Sequence, residues 1–306
     1  MKLSFRSLEI GLWVLILATI TFMFGVEGNT EETLSQGRSA IGWMISRWNW
    51  ASADMSHGWL IPLVSIYMVW WKRNDLRQSI KTINCWGLVI IIISLLFYLL
   101  GLRVQQTVIV LLSLISLLWG CVYFVYGGKV ARIFFPSCAY LVFCIPLTFL
   151  DYLTFPLRMV SSTVSVMLLN GFGISVTQLG TAIHVNAGGG FSLDVAHPCS
   201  GLRYLLAMVA LTVAYAYFTQ KSPLKRGLLS LAAIPLAMAG NIARITLIAV
   251  VGILFGEKFA IGFYHDYSGY VVFGVATLLM LGLGSLLHRA GPVWRMNQKK
   301  DEVNEG

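Results

Sequence analysis

A cysteine, an arginine and a histidine stand out in the C-terminal half of the chain. Cys199 lies in V-A-H-P-C-S-G-L-R-Y-L-L, residues 195–206, where a polar, glycine-rich segment gives way to a long apolar run. Pro198 has no backbone N–H and suits the first turn of a helix, where that donor would lack a partner anyway. A helix starting here puts Cys199 in its first turn, where free N–H groups and the positive dipole end favour a thiolate. The thiolate is the nucleophilic form of a cysteine. Arg203, four residues on, shares that helix face. Burial as a small apolar side chain is the commoner fate of a cysteine in an apolar chain, so Cys199 needs partners to carry chemistry.

Two partners are in view. Arg244 sits in A-G-N-I-A-R-I, residues 239–245, flanked by Ile242, Ile245, Leu247 and Ile248. An arginine in hydrocarbon costs about 2.5–3.5 kcal/mol on insertion scales, so it normally faces a bundle interior or a cavity; snorkelling to the interface is the plainer alternative. His265 opens H-D-Y-S-G-Y just before the last apolar run. A histidine titrates near neutral pH and can take a thiol proton or protonate a leaving amine. His57, His184 and His197 share the expected face, so histidine alone does not single out the base. Nucleophile, proton shuttle and cation are the parts of an acyl-transfer site. Asn241 or Asp266 could orient one of them.

These residues need a membrane scaffold. Of 306 residues, 57% are hydrophobic and only 11% charged, against about 25% charged in soluble domains, and the mean hydropathy is +0.76. The chain is therefore an all-α multi-pass membrane protein. Its net charge of +9 resides in short loops between apolar runs and reads as a topology signal, with no nucleic acid implied. Five cysteines without C-x-x-C or Cys/His ligand spacing argue against a disulfide framework or a zinc site. No metal or cofactor is expected.

About eight spans are expected: Leu8–Val26, His57–Trp71, Trp86–Gly101, Val104–Tyr126, Ile133–Leu150, Ser200–Thr219, Gly227–Ala243 and Gly269–Leu287. The first follows Lys2 and Arg6 but lacks a small-residue cleavage site, so it reads as a retained span. With both termini inside, most of the 22 basic residues fall in the cytoplasm, among them Arg73, Arg77, Lys129, Arg132, Lys225 and Arg226. The run Arg226–Gly256 would be roughly 46 Å long as a helix, more than one span needs. A break at Ala239–Ile245, with Pro235 just before, is expected to leave Asn241 and Arg244 at the outer boundary, with Ile245–Gly256 folding back or lying near the outer surface. The organisation expected is one membrane domain over 1–306. It comprises five N-terminal spans in 1–150, an external segment 151–198, a three-span catalytic half 199–287 and a cytoplasmic tail 288–306.

Two external segments are long. Glu27–Ser56 holds Trp43, Trp48 and Trp50 among polar residues, which suits a helix lying in the interface. In 151–198, Phe155–Leu169 is too rich in Ser and Thr for a secure span. Ile183 and Val185, a turn at Ala187–Gly190, then Phe191, Leu193 and Val195 alternate as a small β-hairpin. Its edges would be unsatisfied in lipid, so the hairpin must sit outside or against protein. It delivers the chain to Cys199 at the outer face. The tail 298–306 is polar and is expected to be disordered.

P-C-S-G-L-R-Y at 198–204, N-I-A-R-I at 241–245 and H-D-Y-S-G-Y at 265–270 resemble the three signature blocks of the exosortase/archaeosortase family, in the same order. The resemblance covers most of the chain and points to the bacterial exosortase branch. It implies a membrane-embedded cysteine transpeptidase of the inner membrane. Cys199 would be the nucleophile, Arg244 the oxyanion stabiliser or substrate clamp, and His265 the general acid/base, with Arg203, Asn241 and Asp266 binding or supporting. The implied partners are the lipid bilayer and secreted proteins with a C-terminal sorting signal: a short motif such as Pro-Glu-Pro (PEP-CTERM-like), a transmembrane helix and a basic cluster. An acceptor amine or glycan, or water, would resolve the acyl-enzyme. His197-Pro198 departs from the acidic or alanine residues of the commonest subfamily, which leaves the recognition motif open.

Two other classes compete. A transporter would use Arg203 and Arg244 to bind an anion, and should show paired broken helices in two repeats; one break and no repeat are visible. An accessory membrane protein of an envelope polysaccharide pathway would need none of the three residues.

Overall fold

Long helices with apolar outer faces make up most of the described chain, as expected where lipid offers the backbone no hydrogen-bonding partner. The structure is a computed structural model describing residues 5–30, 37–49, 55–147, 150–186, 190–194, 202–260 and 265–289; residues 5–10, 12, 150–154, 193–194, 202–204, 265–267 and 272 are described by their backbone alone. Cys199, His197, Pro198, Trp50, Val195, the turn residues 187–189 and the tail from 290 lie outside the described residues. The chain separates into two compact units, Met1–Leu147 and Thr148–Gly306.

In the N-terminal unit, α1 (Phe5–Ile20) runs into a π-helical turn, Thr21–Val26, over the expected first span. α2 (Ala40–Asn49) follows, then a 3₁₀ turn (Ser56–Trp59), α3 (Leu60–Trp71), α4 (Arg73–Gln78), α5 (Cys85–Arg103) and α6 (Thr107–Tyr140). α5 and α6 pack closely because glycines meet backbone: a Cβ on Gly87 would collide with the Phe124 main chain, and one on Gly101 with Val110. The opposite stripe of α5, Leu88, Ile92, Leu96 and Leu99, is exposed. α6 joins two expected spans, with non-helical backbone at Gly127 (φ 83°, ψ 175°). It gives way to a 3₁₀ turn, Leu141–Cys144, so Ile133–Leu150 is not one continuous helix.

The tryptophan-rich helix departs from expectation. Trp43 and Trp48 are buried in protein, not laid along an interface. The Trp48 indole N–H donates to the Cys144 carbonyl at 2.8 Å, and the bare Gly58 makes room for its ring.

The C-terminal unit begins with α7 (Leu150–Gly171). The Ser/Thr-rich stretch read as an insecure span is thus one helix. Its serines are turned inward: Ser161, Ser162 and Ser165 are buried, Ser162 Oγ donates to Thr181 O (3.0 Å) and Ser165 Oγ to Ile242 O (3.3 Å). Three antiparallel strands follow, β1 (Val176–Leu179), β2 (Ala182–Val185) and β3 (Phe191–Asp194), in that spatial order. β2 and β3 form the expected hairpin, pairing Ile183 with Leu193 and Val185 with Phe191. β1 adds a third strand that the alternation did not reveal.

α8 (Leu202–Thr219), α9 (Pro223–Phe255) and α11 (His265–Arg289) pack together, with the single turn α10 (Glu257–Phe259) between the last two. Met208, Ala216, Leu229, Ala276 and Met280 form their shared core. One end of this bundle is pinned by polar bonds, from Gln220 Nε2 to Gly284 O (3.0 Å), Lys225 Nζ to Leu287 O (2.6 Å) and Arg226 Nε to Gln220 O (2.7 Å).

α9 is continuous through residues 239–245, which corrects the expected break. The reason is what lies beyond that point. Ile245, Ile248 and Ala249 pack against Leu169 of α7 and Val176, Ile183, Val185 and Phe191 of the sheet. The distal half of α9 is therefore covered by protein and stays helical instead of folding back. Gly252 is part of this seat, since a Cβ there would strike the Phe191 ring.

Among the described residues, four helices are long and apolar enough to cross a membrane, and two shorter apolar helices, Trp13–Val26 and Leu205–Thr219, accompany them. The protein is an integral membrane protein.

Candidate active site

Arg244 lies within α9 and is only 4% exposed. At 1.5 Å per residue it stands about 32 Å from the pinned start of the helix. Ser268, on α11, stands about the same distance from Arg289. The two meet at that height: Arg244 Nε donates to Ser268 Oγ at 3.2 Å, and both side chains are buried. A guanidinium carries its N–H donors in a fixed planar fork, so holding Nε sets the direction of the whole group. The bond also ties Arg244 to the first turn of α11, of which His265 is the first residue and Asp266 the second.

α7 supports the same turn of α9 from another side. Ser165 Oγ reaches the Ile242 carbonyl, two residues before Arg244. One turn before Arg244, the side-chain oxygen of Asn241 is buried and has no hydrogen-bond partner among the described residues. An orphaned buried acceptor costs about 1–3 kcal/mol, so this oxygen calls for a partner such as a water, an ion or a ligand. Arg203 is the second residue of α8, and Cys199 precedes that helix by three residues, outside the described part.

Of the residues singled out from sequence, the structure brings Arg244 to the turn of α11 that His265 begins, and puts Asn241 on the same helix as Arg244. Cys199 lies outside the described residues, and Arg203, His265 and Asp266 are described by their backbone alone. Ser268 and Ser165 were missed. Ser268 had a signal, for it lies three residues after His265 in the same block and so on the same helix face. Ser165 had none, being one of several hydroxyls in α7.

The family model described as Transmembrane exosortase (Exosortase_EpsH) matches residues 48–282, more than half of the chain. The chain belongs to this family. No curated protein and no solved structure matches it. The matched region takes in all three blocks that hold Cys199, Arg244 and His265, and stops short of the end of α11. Within this exosortase, buried polar contacts link α7, α9 and α11 around Arg244, so the described part of the site is a junction of three helices.

Proposed function

We propose that this exosortase is a cysteine peptidase or transpeptidase that cleaves a C-terminal sorting signal from secreted proteins. In this reading the site lies at the outer face of the cytoplasmic membrane, with both chain termini inside. The observation that carries the reading is the Arg244–Ser268 hydrogen bond, which holds a buried cation beside the turn that His265 begins. Helix heights support it. α8 has 18 residues and rises about 26 Å. Cys199 precedes α8 in the chain by three residues, at the helix end opposite Gln220 and the bonds that pin it. The basic residues at the pinned end, Lys225 and Arg226, favour the cytoplasm for that end.

His265 takes the proton from Cys199 Sγ, and the thiolate attacks the scissile carbonyl carbon. Charge moves to the carbonyl oxygen, where the Arg244 guanidinium stabilises it. As the tetrahedral species collapses, the C–N bond breaks and His265 returns its proton to the leaving amine, which departs with the transmembrane anchor. The remaining thioester is attacked by an acceptor amine or glycan, or by water, deprotonated by the same histidine, and Cys199 is released. Asn241 and Asp266 orient this set, and Arg203 binds substrate or supports α8. No cofactor takes part in this sequence.

Co-expression of a secreted reporter ending in a Pro-Glu-Pro-type motif, a transmembrane helix and a basic cluster tests the reading. The wild-type enzyme is expected to shift the reporter's mobility, and Cys199→Ala to leave it unprocessed at equal enzyme abundance. Equal processing by both would contradict it.

A further inference from the structure

The two edges of the small sheet are not alike. The Asn186 N–H bonds the Ser175 carbonyl (3.0 Å), so the next pair, Val176 with Val185, turns the main-chain groups of Val176 outward. One side chain takes both: Val176 N–H donates to Asn170 Oδ1 (3.1 Å) and Asn170 Nδ2 donates to Val176 O (3.2 Å). Asn170 of α7 therefore closes the β1 edge at that point.

The same alternation, carried across β2, makes Ile183–Leu193 and Val185–Phe191 the hydrogen-bonded pairs. Ser192 and Asp194 are left with N–H and C=O directed away from β2. Among the described residues, no strand pairs with β3 on that side. Open edges are templates for another chain and are usually blunted by lysine, proline or a covering element. β3 reads F-S-L-D, with neither lysine nor proline. The sheet is also held rigidly near the site: Phe191 packs on Gly252 of α9, two turns beyond Arg244. From Asp194 the chain reaches Cys199 within about 17 Å even if fully extended.

We propose that the outer edge of β3 binds the extended substrate segment just ahead of the scissile bond as a fourth strand. This rests on the reading of Cys199 as the nucleophile. Strand addition supplies main-chain hydrogen bonds at every second substrate residue, and holds the peptide in the extended form that leads into the site. The Ser192 side chain, bonded to His184 Nδ1 at 2.9 Å on the exposed face, lies beside the incoming strand.

The test is disulfide trapping in oxidised membranes with copper phenanthroline. The full-length enzyme carries Ser192→Cys with Cys85→Ser and Cys199→Ala, and the Pro-Glu-Pro-type reporter carries one cysteine at each of the six positions ahead of its transmembrane helix. Directly opposed residues on neighbouring strands bring their Cβ atoms within about 5.5 Å and diagonal ones only within about 7–8 Å, so adducts are expected to peak at one position, with weaker ones only two residues to either side. Thr177→Cys, two strands away on β1, should give none. Adducts at no position, or equally at consecutive positions, would overturn the proposal. A second measurement uses solubilised enzyme with Cys199 intact: Ser192→Pro removes an outward N–H without touching the β2 ladder, and should raise KM about 3- to 10-fold with kcat unchanged. An unchanged KM would overturn the proposal as well. The two readings fail separately. A reporter that is cut but never trapped removes the edge alone, whereas one that is trapped but left uncut by wild type keeps the edge and removes the nucleophile.

Discussion

The α5–α6 pair and the α9–α11 pair are both packed helix pairs in a membrane protein, and they treat polar side chains in opposite ways. In α5–α6 the buried serines 94 and 113 turn back on their own helices, Ser94 Oγ donating to Ile90 O (2.7 Å) and Ser113 Oγ to Val110 O (2.6 Å), while Thr107 and Tyr98 reach the neutral partners Asn29 and the Met23 carbonyl. Glycines do the packing, and the interface needs no charge. In α9–α11 a buried arginine crosses from one helix to the other, and one turn away an asparagine oxygen has no hydrogen-bond partner among the described residues. Methionines and alanines pack the same bundle below, so cohesion does not require these polar groups. The difference separates a pair whose named polar groups are neutral and bonded from one that buries a cation between helices beside an asparagine oxygen with no partner among the described residues.

Substitutions on the two sides should therefore fail differently. The largest effect is expected at Arg244. Lysine keeps the charge but loses the planar fork, and loss of an oxyanion donor costs about 10²–10³ in rate. Arg244→Lys should thus accumulate normally and process the reporter very poorly; near-normal processing at equal abundance would remove Arg244 from the site. Gly87→Leu should do the reverse. Overpacking costs typically about 1–3 kcal/mol, so its thermal unfolding in detergent should fall while the surviving enzyme keeps its specific activity. A variant as stable as wild type would show that α5 and α6 do not need their close approach. Ser268→Ala should lower processing about tenfold, the order expected for one hydrogen bond to a charged group, with Ser268→Thr restoring much of it. Equal activity of Ala and wild type would mean that the Nε bond does not position the guanidinium. The smallest effect is expected for Ser94→Ala, whose hydroxyl bonds only its own helix; stability should change by less than about 0.5 kcal/mol. A larger loss would blur the contrast between the two pairs.

What the sequence disclosed follows from how local each signal is. The β2–β3 hairpin was legible because Ile183, Val185, Phe191 and Leu193 alternate around a glycine turn. The cation at 244 was legible because arginine among isoleucines needs a reason. The continuity of α9 was not, since Pro235 and Gly240 suggest a break, and only the sheet and α7 covering Ile245 and Ile248 explain why none occurs. α7 was underestimated for the same reason: Ser161, Ser162 and Ser165 look hydrophilic in the chain but face protein. β1 is short, and the outward groups of Val176 are satisfied by Asn170, a contact no periodicity encodes. Trp48 resembles an interface anchor until Gly58 and Cys144 supply its pocket, and Trp43 is buried as well.

The most direct test is capture of the covalent intermediate. Full-length enzyme and Pro-Glu-Pro-type reporter are mixed, quenched in acid, digested and analysed by mass spectrometry. The account predicts a thioester joining the reporter's new C-terminus to the peptide containing Cys199, labile to hydroxylamine and absent from Cys199→Ala. Reporter cleavage by Cys199→Ala at the wild-type rate, with no adduct on Cys199 in either enzyme, would contradict it.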